Sequence, residues 1–240
     1  YNLDYPSVSK LNPEIIYCSI TGFGQTGPYA DRLGYDFIIQ ALSGIMDLTG
    51  EPDGEPQKMG VAFADIFTGL YGVIAIQSAL RVREHSQKGQ HIDLSLMDSM
   101  IAVLANQASN YFVSGKSPKR MGNKHPNIVP YQVFKVKDGH LIIAVGNNEQ
   151  FERFCKVIGL DYLCSSEEYN DNQKRVQNRE KLVEIITSKT IHYNKNDLKS
   201  LLEENNVPVG AINDIEEVFN DPQVKYRKLK INMTNKNAKK

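Results

Sequence analysis

The feature that most constrains the fold is a long apolar segment, residues 61–83, that lies between two strand-like runs. Its apolar side chains recur at helical spacing, and Arg81 and Arg83 stand at its end, where cations complement the helix dipole. The run 15–20 before it is rich in β-branched side chains, and the run 90–96 after it alternates polar and apolar residues. A strand, a long helix and a second strand in this order predict an α/β fold with a partly parallel sheet.

The chain after residue 127 has shorter elements of both kinds. Two strand-like runs, 131–136 and 140–145, flank an Asp-Gly pair, which is favoured in tight hairpin turns. Helical spacing returns afterwards in segments 148–158, 175–188 and 195–204. We therefore divide the chain into the central part of a large α/β domain, a polar linker, a small α+β domain and a disordered tail rich in Lys and Asn, at residues 1–113, 114–127, 128–227 and 228–240.

Composition excludes several classes of function. The 240 residues carry 28 Lys and Arg against 28 Asp and Glu, so there is no basic excess for binding nucleic acid. The three cysteines Cys18, Cys155 and Cys164 are widely spaced, which favours a reducing compartment over a disulfide framework or a zinc site. No apolar run approaches the ~20 residues that cross a bilayer. We expect a cytoplasmic protein, or one of the mitochondrial matrix in a eukaryote, without a membrane partner.

A glycine pattern follows the first strand. Gly22, Gly24 and Gly27 have the spacing of the dinucleotide fingerprint, in which glycines let the backbone approach a pyrophosphate at the start of a helix. Pro28 follows, however, and helical spacing returns only near Asp36. The pattern therefore favours a flexible or ligand-facing glycine loop over a nicotinamide site.

Asp65 is the most informative single residue, because it is an acid in an apolar, small-residue run at the predicted start of the long helix. Free backbone N–H groups and the positive end of the helix dipole can stabilise a carboxylate there and orient it as a nucleophile. Aspartate is also a preferred N-terminal cap of helices, and the local pattern alone favours this alternative.

Other catalytic constellations find little support. The five histidines, among them His91 and His125, have no metal-ligand spacing, and no serine elbow or Cys-His pairing stands out. We predict no metal site. The basic stretch 116–124 could contact phosphate groups, although a solvated loop between domains is the commoner outcome for such a run.

Several segments together resemble the family III CoA-transferases, also called the CaiB/BaiF family. They occur in the family's order across nearly the whole chain, at 16–28, 34–36, 43–50, 65–71, 88–93, 130–134, 137–139, 146–151, 207–210 and 221–224. The run 130–151 is most similar to that of members acting on dicarboxylates such as succinate. The resemblance implies a Rossmann-like large domain, present here in part, with a smaller α+β domain.

The resemblance also implies a mechanism and a set of site residues. In the family, an aspartate at the position of Asp65 attacks an acyl-CoA thioester to give a mixed anhydride, and the returning CoA thiolate gives an aspartyl-CoA thioester. The carboxylate should lie in a dry pocket that admits a pantetheine arm, shielded by a flexible glycine loop. Coenzyme A thioesters are substrates, and no tightly bound cofactor is implied. Expected wall and loop residues are Gly22, Phe23, Gly24, Tyr35, Gly122, Asn123, Lys124 and His125.

One position separates the transferases from the related α-methylacyl-CoA racemases. Racemases carry histidine in a Gly-His-Asp segment, because proton exchange at the α-carbon needs acid–base groups on two faces. Tyr35 occupies that position here, which favours transfer.

The chain departs from the family pattern in its extent. It starts at Tyr1, lacks the family's N-terminal portion and its C-terminal return segment, and reads as a piece of a longer protein. The glycine-rich loop of some members appears only as the run 121–126. Family members are interlocked homodimers. The alternative to a CoA-transferase is therefore a catalytically silent fragment that acts as a binding or dimerisation module.

Overall fold

A computed structural model describes residues 1–233 and divides the chain into two compact units, residues 1–122 and the part beginning at Asn123. The division falls inside the segment 114–127 that we interpret as a linker. The domain assignments made from the sequence stay predictions, and most of the predicted disordered tail, 234–240, lies outside the described residues.

The first unit alternates strands and helices. Its elements are α1 (Tyr5–Leu11), β1 (Ile16–Thr21), α2 (Asp36–Leu42), α3 (Ile45–Leu48), α4 (Phe63–Ser86), β2 (Gln90–Ser95), α5 (Leu96–Val103) and α6 (Ala105–Ser114). Strands β1 and β2 pair in parallel, with Ile16 opposite Gln90 and Thr21 opposite Ser95. Parallel strands need a crossover connection, and the segment between them contains α4, the helix expected from residues 61–83. The α/β prediction for this part is confirmed.

Two helical segments of the first unit are each interrupted. The segment 36–46 forms α2 and α3, separated at Ser43 and at Gly44, whose φ is +88°. The segment 98–112 forms α5 and α6, with a break at Leu104 and Ala105. Apolar spacing continues through both breaks, and therefore it could not reveal them.

The buried core of the first unit is small and lies at the beginning of α4. Ile39 and Ala64 pack there with two residues of α5, Leu96 and Met100, and the cluster is bordered by Phe23, Ile45, Phe63 and Met97. Further along α4, the apolar side chains of Leu70, Val73 and Ile74 are 55%, 59% and 61% exposed. The unit therefore buries the start of α4 and leaves much of its length uncovered.

Within residues 1–233, α4 is the one helix that is long and apolar enough to cross a membrane, with a mean hydropathy of 1.4 over its best window. The expectation that no segment comes close to this length is therefore wrong, because a helix tolerates a few interspersed polar residues within an apolar window. Length and composition alone are weak grounds for a membrane span, since core helices of soluble proteins meet the same criteria. The absence of a membrane partner stays a prediction.

The second unit is built on an antiparallel sheet. Strands β3 (Tyr131–Val136), β4 (Gly139–Ala144) and β5 (Val209–Ala211) lie in the order β3-β4-β5. The helices are α7 (Asn148–Ile158), α8 (Asn172–Gln177), α9 (Arg179–Thr190), α10 (Lys195–Glu204), α11 (Ile215–Asn220) and α12 (Pro222–Tyr226), with a 3₁₀ turn at Asp161–Ser165. Both segments of the expected hairpin are strands in register, with Val136 opposite Gly139.

The core of the second unit contains a buried arginine. Arg175 is fully buried and donates hydrogen bonds to the carbonyls of Val129 and Tyr169, at 2.8 and 2.9 Å, and to Oδ1 of Asn148 at 2.9 Å. Its guanidinium also lies over the ring of Phe151, 4.4 Å from the centroid. These contacts fix the residues that enter β3.

Candidate functional site

The beginning of α4 lacks a cap from its own sequence. Ala62 is the N-cap residue and makes no side-chain hydrogen bond to the helix. The backbone N–H of Ala64, at the second helical position, instead donates to Oδ1 of Asp36 at 2.8 Å, from 28 residues earlier in the chain. A carboxylate of another helix therefore satisfies one of the free N–H groups that every helix start presents.

Asp65 is the third residue of α4 and is exposed. Within residues 1–233, its carboxylate has neither a hydrogen-bond partner nor an ion-pair partner. The alternative that Asp65 caps its own helix is wrong, because Asp36 takes that role. The position in the first turn places the carboxylate at the positive end of the helix dipole.

A buried amide connects Asp36 to the loop that precedes α4. Gln40 is fully buried, and its Nε2 donates to Oδ2 of Asp36 at 2.7 Å. Its Oε1 accepts from the backbone N–H of Met59 at 2.9 Å, and Nε2 also lies 3.5 Å from the carbonyl of Val61. One turn of α2 thus holds both the loop and the first turn of the helix that carries Asp65.

The glycine loop after β1 is held by side chains of both strands. The N–H of Gly24 donates to Oγ1 of Thr21 at 2.9 Å, and the N–H of Gln25 donates to the Asp93 carboxylate at 3.0 and 3.1 Å. The hydroxyl of Ser95 donates to the carbonyl of Gly22 at 3.3 Å. No helix starts directly after Gly27, since α2 begins at Asp36. A nicotinamide-type fingerprint is therefore not formed.

The glycine loop and the residues that precede α2 meet through direct backbone contact. A Cβ atom on Gly22 would lie 2.5 Å from Cα of Gly34, and one on Gly34 would lie 2.5 Å from Cα of Gly22. Phe23 borders the cluster that contains Ala64, so the loop also packs near the start of α4. Tyr35, the N-cap residue of α2, is 66% exposed. Gly22 and Phe23 of the glycine loop and Tyr35 at the start of α2 therefore lie in segments that adjoin the first turn of α4.

The end of the first unit is fixed by an arginine. Arg120, whose side chain is 17% exposed, donates to the Asp47 carboxylate at 2.9 Å and to the carbonyls of Asp47, Glu51 and Gly54. The N–H of Gly122 donates to the carbonyl of Gly50 at 3.0 Å. Gly122 has a φ of +59°, and a Cβ there would lie 2.9 Å from a carboxylate oxygen of Glu51, so glycine suits this position in both respects.

Residues 123–127, which follow Gly122 in the chain, belong to the second unit and are held there by a second arginine. Nη2 of Arg179 donates to the carbonyls of His125 and Pro126, at 2.8 and 3.0 Å. Burial, followed by the charge of Arg179, lowers the pKa of His125, and a neutral ring suits its Nδ1, which accepts from Asn127 N–H at 3.1 Å. Lys124 lies 3.1 Å from Glu180.

These contacts account for part of the basic stretch 116–124. Arg120 and Lys124 form ion pairs with carboxylates, whereas Lys116 and Lys119 are exposed. The structure therefore leaves two of the four cations of this stretch for a phosphate-bearing ligand. The roles expected for Asn123, Lys124 and His125 stay predictions.

Metal-binding clusters and cavities are the remaining candidate features of the described residues. Within 1–233, no group of three or more His, Cys, Asp or Glu side chains could hold a metal ion. A mainly apolar cavity of about 290 Å³ lies in the first unit, where Leu48, Ile101, Tyr111 and Phe112 contribute to its wall. Asp65 does not line it.

Comparison with known proteins decides the family. The model of CoA-transferase family III matches residues 1–240. The chain belongs to this family. It is 54% identical over 233 residues to succinate–glutarate CoA-transferase of Agrobacterium fabrum, a match that covers 97% of this chain and 58% of that protein. It is 42% identical over 231 residues to human succinyl-CoA:glutarate CoA-transferase, covering 96% of this chain and 53% of that one.

A solved structure supports the same assignment for the fold. The crystal structure of a CaiB/BaiF family protein from Brucella suis superposes with a TM-score of 0.83 at 58% identity, covering 96% of this chain and 61% of that one. The predicted fold class is thereby confirmed. This family III chain spans less than two thirds of each of these relatives.

The expectation of an enclosed carboxylate is not met by the described residues, because Asp65 is exposed. The physical reason is the small core of the first unit, which covers one side of the start of α4 and supplies no wall over the carboxylate. A dry pocket at Asp65 would require residues other than those described.

Three residues that hold candidate segments within their own units were missed in the sequence. In the first unit, Asp36 accepts from Ala64 N–H across 28 positions and Asp93 accepts from Gln25 N–H across 68 positions. In the second unit, Arg179 donates to the carbonyl of His125 across 54 positions. Local spacing carries no signal for contacts of such range. Asp36 lies within the family-like run 34–36, which was the only indication of its importance.

Proposed function

We propose that this protein transfers CoA between dicarboxylic acids, with succinate and glutarate as the first substrates to test. The observation that carries the proposal is a carboxylate in the first turn of α4 that has no partner within residues 1–233, in a chain that belongs to CoA-transferase family III. The similarity to transferases named for succinate and glutarate supports the substrate class.

In the proposed reaction, the Asp65 carboxylate attacks the thioester carbonyl of succinyl-CoA. The C–S bond breaks, the CoA thiolate leaves, and a mixed anhydride joins Asp65 to succinate. The thiolate then attacks the aspartyl carbonyl, which releases succinate and leaves an aspartyl-CoA thioester. Each step retains an activated acyl group, so the exchange needs no external energy source, provided that water is kept out.

The second half repeats these steps with the acceptor. The glutarate carboxylate attacks the aspartyl thioester and expels the thiolate, which gives a second mixed anhydride. The thiolate attacks the glutaryl carbonyl, forms glutaryl-CoA and restores the Asp65 carboxylate. Backbone N–H groups of the glycine loop at Gly22–Gly24 are suited to offset charge on the tetrahedral intermediates.

The proposal is tested by incubating the full chain with succinyl-CoA and glutarate and measuring glutaryl-CoA by liquid chromatography. We expect glutaryl-CoA to form at a rate that saturates with both substrates, with ping-pong kinetics from the covalent intermediate. Oxalate and acetate serve as competing acceptors and should be used less well. Hydrolysis of succinyl-CoA without formation of any new acyl-CoA would contradict the proposal.

The exposure of Asp65 favours one second candidate, a binding or dimerisation module without catalysis. Under this alternative, the full chain would form no new acyl-CoA with any acceptor but would still associate. The same assay therefore separates the two functions. Racemisation is disfavoured because Tyr35 occupies the position at which the related racemases carry histidine.

We also propose that the full-length protein is an interlocked homodimer, as the family resemblance implies. The exposed apolar side chains of α4, among them Leu70, Val73 and Ile74, are consistent with a surface that becomes covered on assembly. Light scattering of the full-length protein should give twice the mass of one chain. A mass equal to one chain at micromolar concentration would contradict the proposal.

A further inference from the structure

The N–H of Ala64 is capped by Asp36, which lies 28 residues earlier in the chain. Asp36 is half-buried, and its two carboxylate oxygens are used for different purposes. Oδ1 accepts from Ala64 N–H at 2.8 Å, and Oδ2 accepts from Nε2 of Gln40 at 2.7 Å. Ala64 directly precedes Asp65, so this cap acts on the residue adjoining the carboxylate that we assign as nucleophile.

Gln40 extends the contact to the loop before α4. It lies fully buried and accepts from Met59 N–H at 2.9 Å through Oε1. The series of hydrogen bonds from Asp36 through Gln40 to Met59 therefore has one fixed direction, in which each donor meets an acceptor. Such a buried network is costly to disturb, because an unpaired partner loses its hydrogen bonds to both protein and water.

We propose that Asp36 and Gln40 are positioning residues for CoA transfer, which hold the first turn of α4 and leave the Asp65 carboxylate free to react. This inference rests on the proposed function. An acidic side chain in the first turn of a helix can fold back onto a free backbone N–H of its own helix. Because Ala64 N–H already donates to Asp36, that N–H does not compete for the Asp65 carboxylate.

The polarity of the network gives a specific test. In Asp36→Asn the new amide keeps one oxygen but presents an NH₂ group either to Ala64 N–H or to Nε2 of Gln40, so a donor faces a donor. In the double variant Asp36→Asn, Gln40→Glu the asparagine NH₂ group donates to the new carboxylate, whose other oxygen still accepts from Met59. The double variant restores the contacts of Ala64 and Met59 and the net charge, moves the charge from position 36 to position 40, and gives up only the long contact of Gln40 to the Val61 carbonyl at 3.5 Å.

We expect Asp36→Asn to lower kcat by about tenfold to a hundredfold with KM changed less than about threefold, because a small displacement of a reacting group affects the transition state most. The double variant should recover kcat to within about threefold of wild type. The matched control is Asp138→Asn. Asp138 Oδ1 accepts from Lys195 N–H at 2.6 Å and caps α10, because the side chain of the N-cap residue Asn194 donates to Asp197 and accepts from no backbone N–H of the helix. Its kcat should equal that of wild type.

The decisive comparison uses the full chain of wild type and these variants, with kcat, KM and amide hydrogen exchange at residues 63–66 measured together. Faster exchange and reduced kcat in Asp36→Asn, both reversed in the double variant, support the inference. Unchanged kcat in Asp36→Asn, or a loss of kcat that the double variant does not reverse, overturns it. Absence of CoA transfer in wild type refutes the proposed function instead. Amide hydrogen exchange that is equal in all variants shows that Asp36 and Gln40 do not hold the first turn of α4, and so overturns the inference alone.

Discussion

Replacing Asp65 by asparagine is expected to reduce CoA transfer by at least about a thousandfold, a loss of the size found when covalent nucleophiles are removed from other enzymes. The amide is isosteric with the carboxylate but is a very poor nucleophile, so neither the anhydride nor the aspartyl thioester can form. Because Asp65 is exposed and has no bonding partner within residues 1–233, the free energy of unfolding should change by less than about 1 kcal/mol, the size of a helix-dipole interaction.

The measurement is the initial rate of glutaryl-CoA formation, together with thermal unfolding of the same samples. Asp98→Asn is the matched control, because Asp98 is also the exposed third residue of a helix, α5. It loses the same interaction with a helix dipole but should keep wild-type turnover. If Asp65→Asn retained more than about a tenth of wild-type turnover, the nucleophile would have to be another group.

Replacing Gly34 by alanine is expected to destabilise the first unit by about 3 kcal/mol, towards the upper end of the range for overpacking. The added Cβ would lie 2.5 Å from Cα of Gly22. Because the contacted atom belongs to the backbone and the Cβ position is fixed by the backbone of residue 34, rotation of a side chain cannot relieve the clash. The contact joins the glycine loop to the residues preceding Asp36. Loss of stability should therefore be accompanied by loss of CoA transfer.

The unfolding transition of the first unit, followed by circular dichroism, tests this expectation. Gly69→Ala supplies the matched control, since a Cβ on that residue of α4 would meet no atom within 4 Å. Alanine has the higher helix propensity, so this variant should be as stable as wild type or more stable by about 1 kcal/mol. Equal stability of Gly34→Ala and Gly69→Ala would show that Gly22 and Gly34 are not in contact.

The sequence predicted the elements that carry strong periodicity or clear turn chemistry. The helix expected at 61–83 is Phe63–Ser86, and the Asp-Gly hairpin joins strands Tyr131–Val136 and Gly139–Ala144. Helix α1 was missed, because it buries no side chain and so has no apolar stripe. Its signals were the capping side chain of Asp4 and a proline in the first turn, which were present in the sequence.

The candidate nucleophile could be proposed from the sequence, whereas the contacts around it could not. Asp65 stood out because an acid interrupts an apolar run, and its assignment stays a prediction. That Asp36 would cap α4, or that Arg179 would hold the carbonyls of His125 and Pro126, depends on contacts between residues far apart in the chain. Those contacts are set by packing, which local propensity and spacing do not encode.

The most direct test of the central claim is to identify the group that becomes acylated. The full chain is incubated with succinyl-CoA, treated with hydroxylamine, which converts an activated carboxyl group to a hydroxamate, and digested for mass spectrometry. We expect one hydroxamate, on Asp65, that requires succinyl-CoA and is absent from Asp65→Asn. A hydroxamate on another residue, or an active enzyme that yields none, would contradict the account.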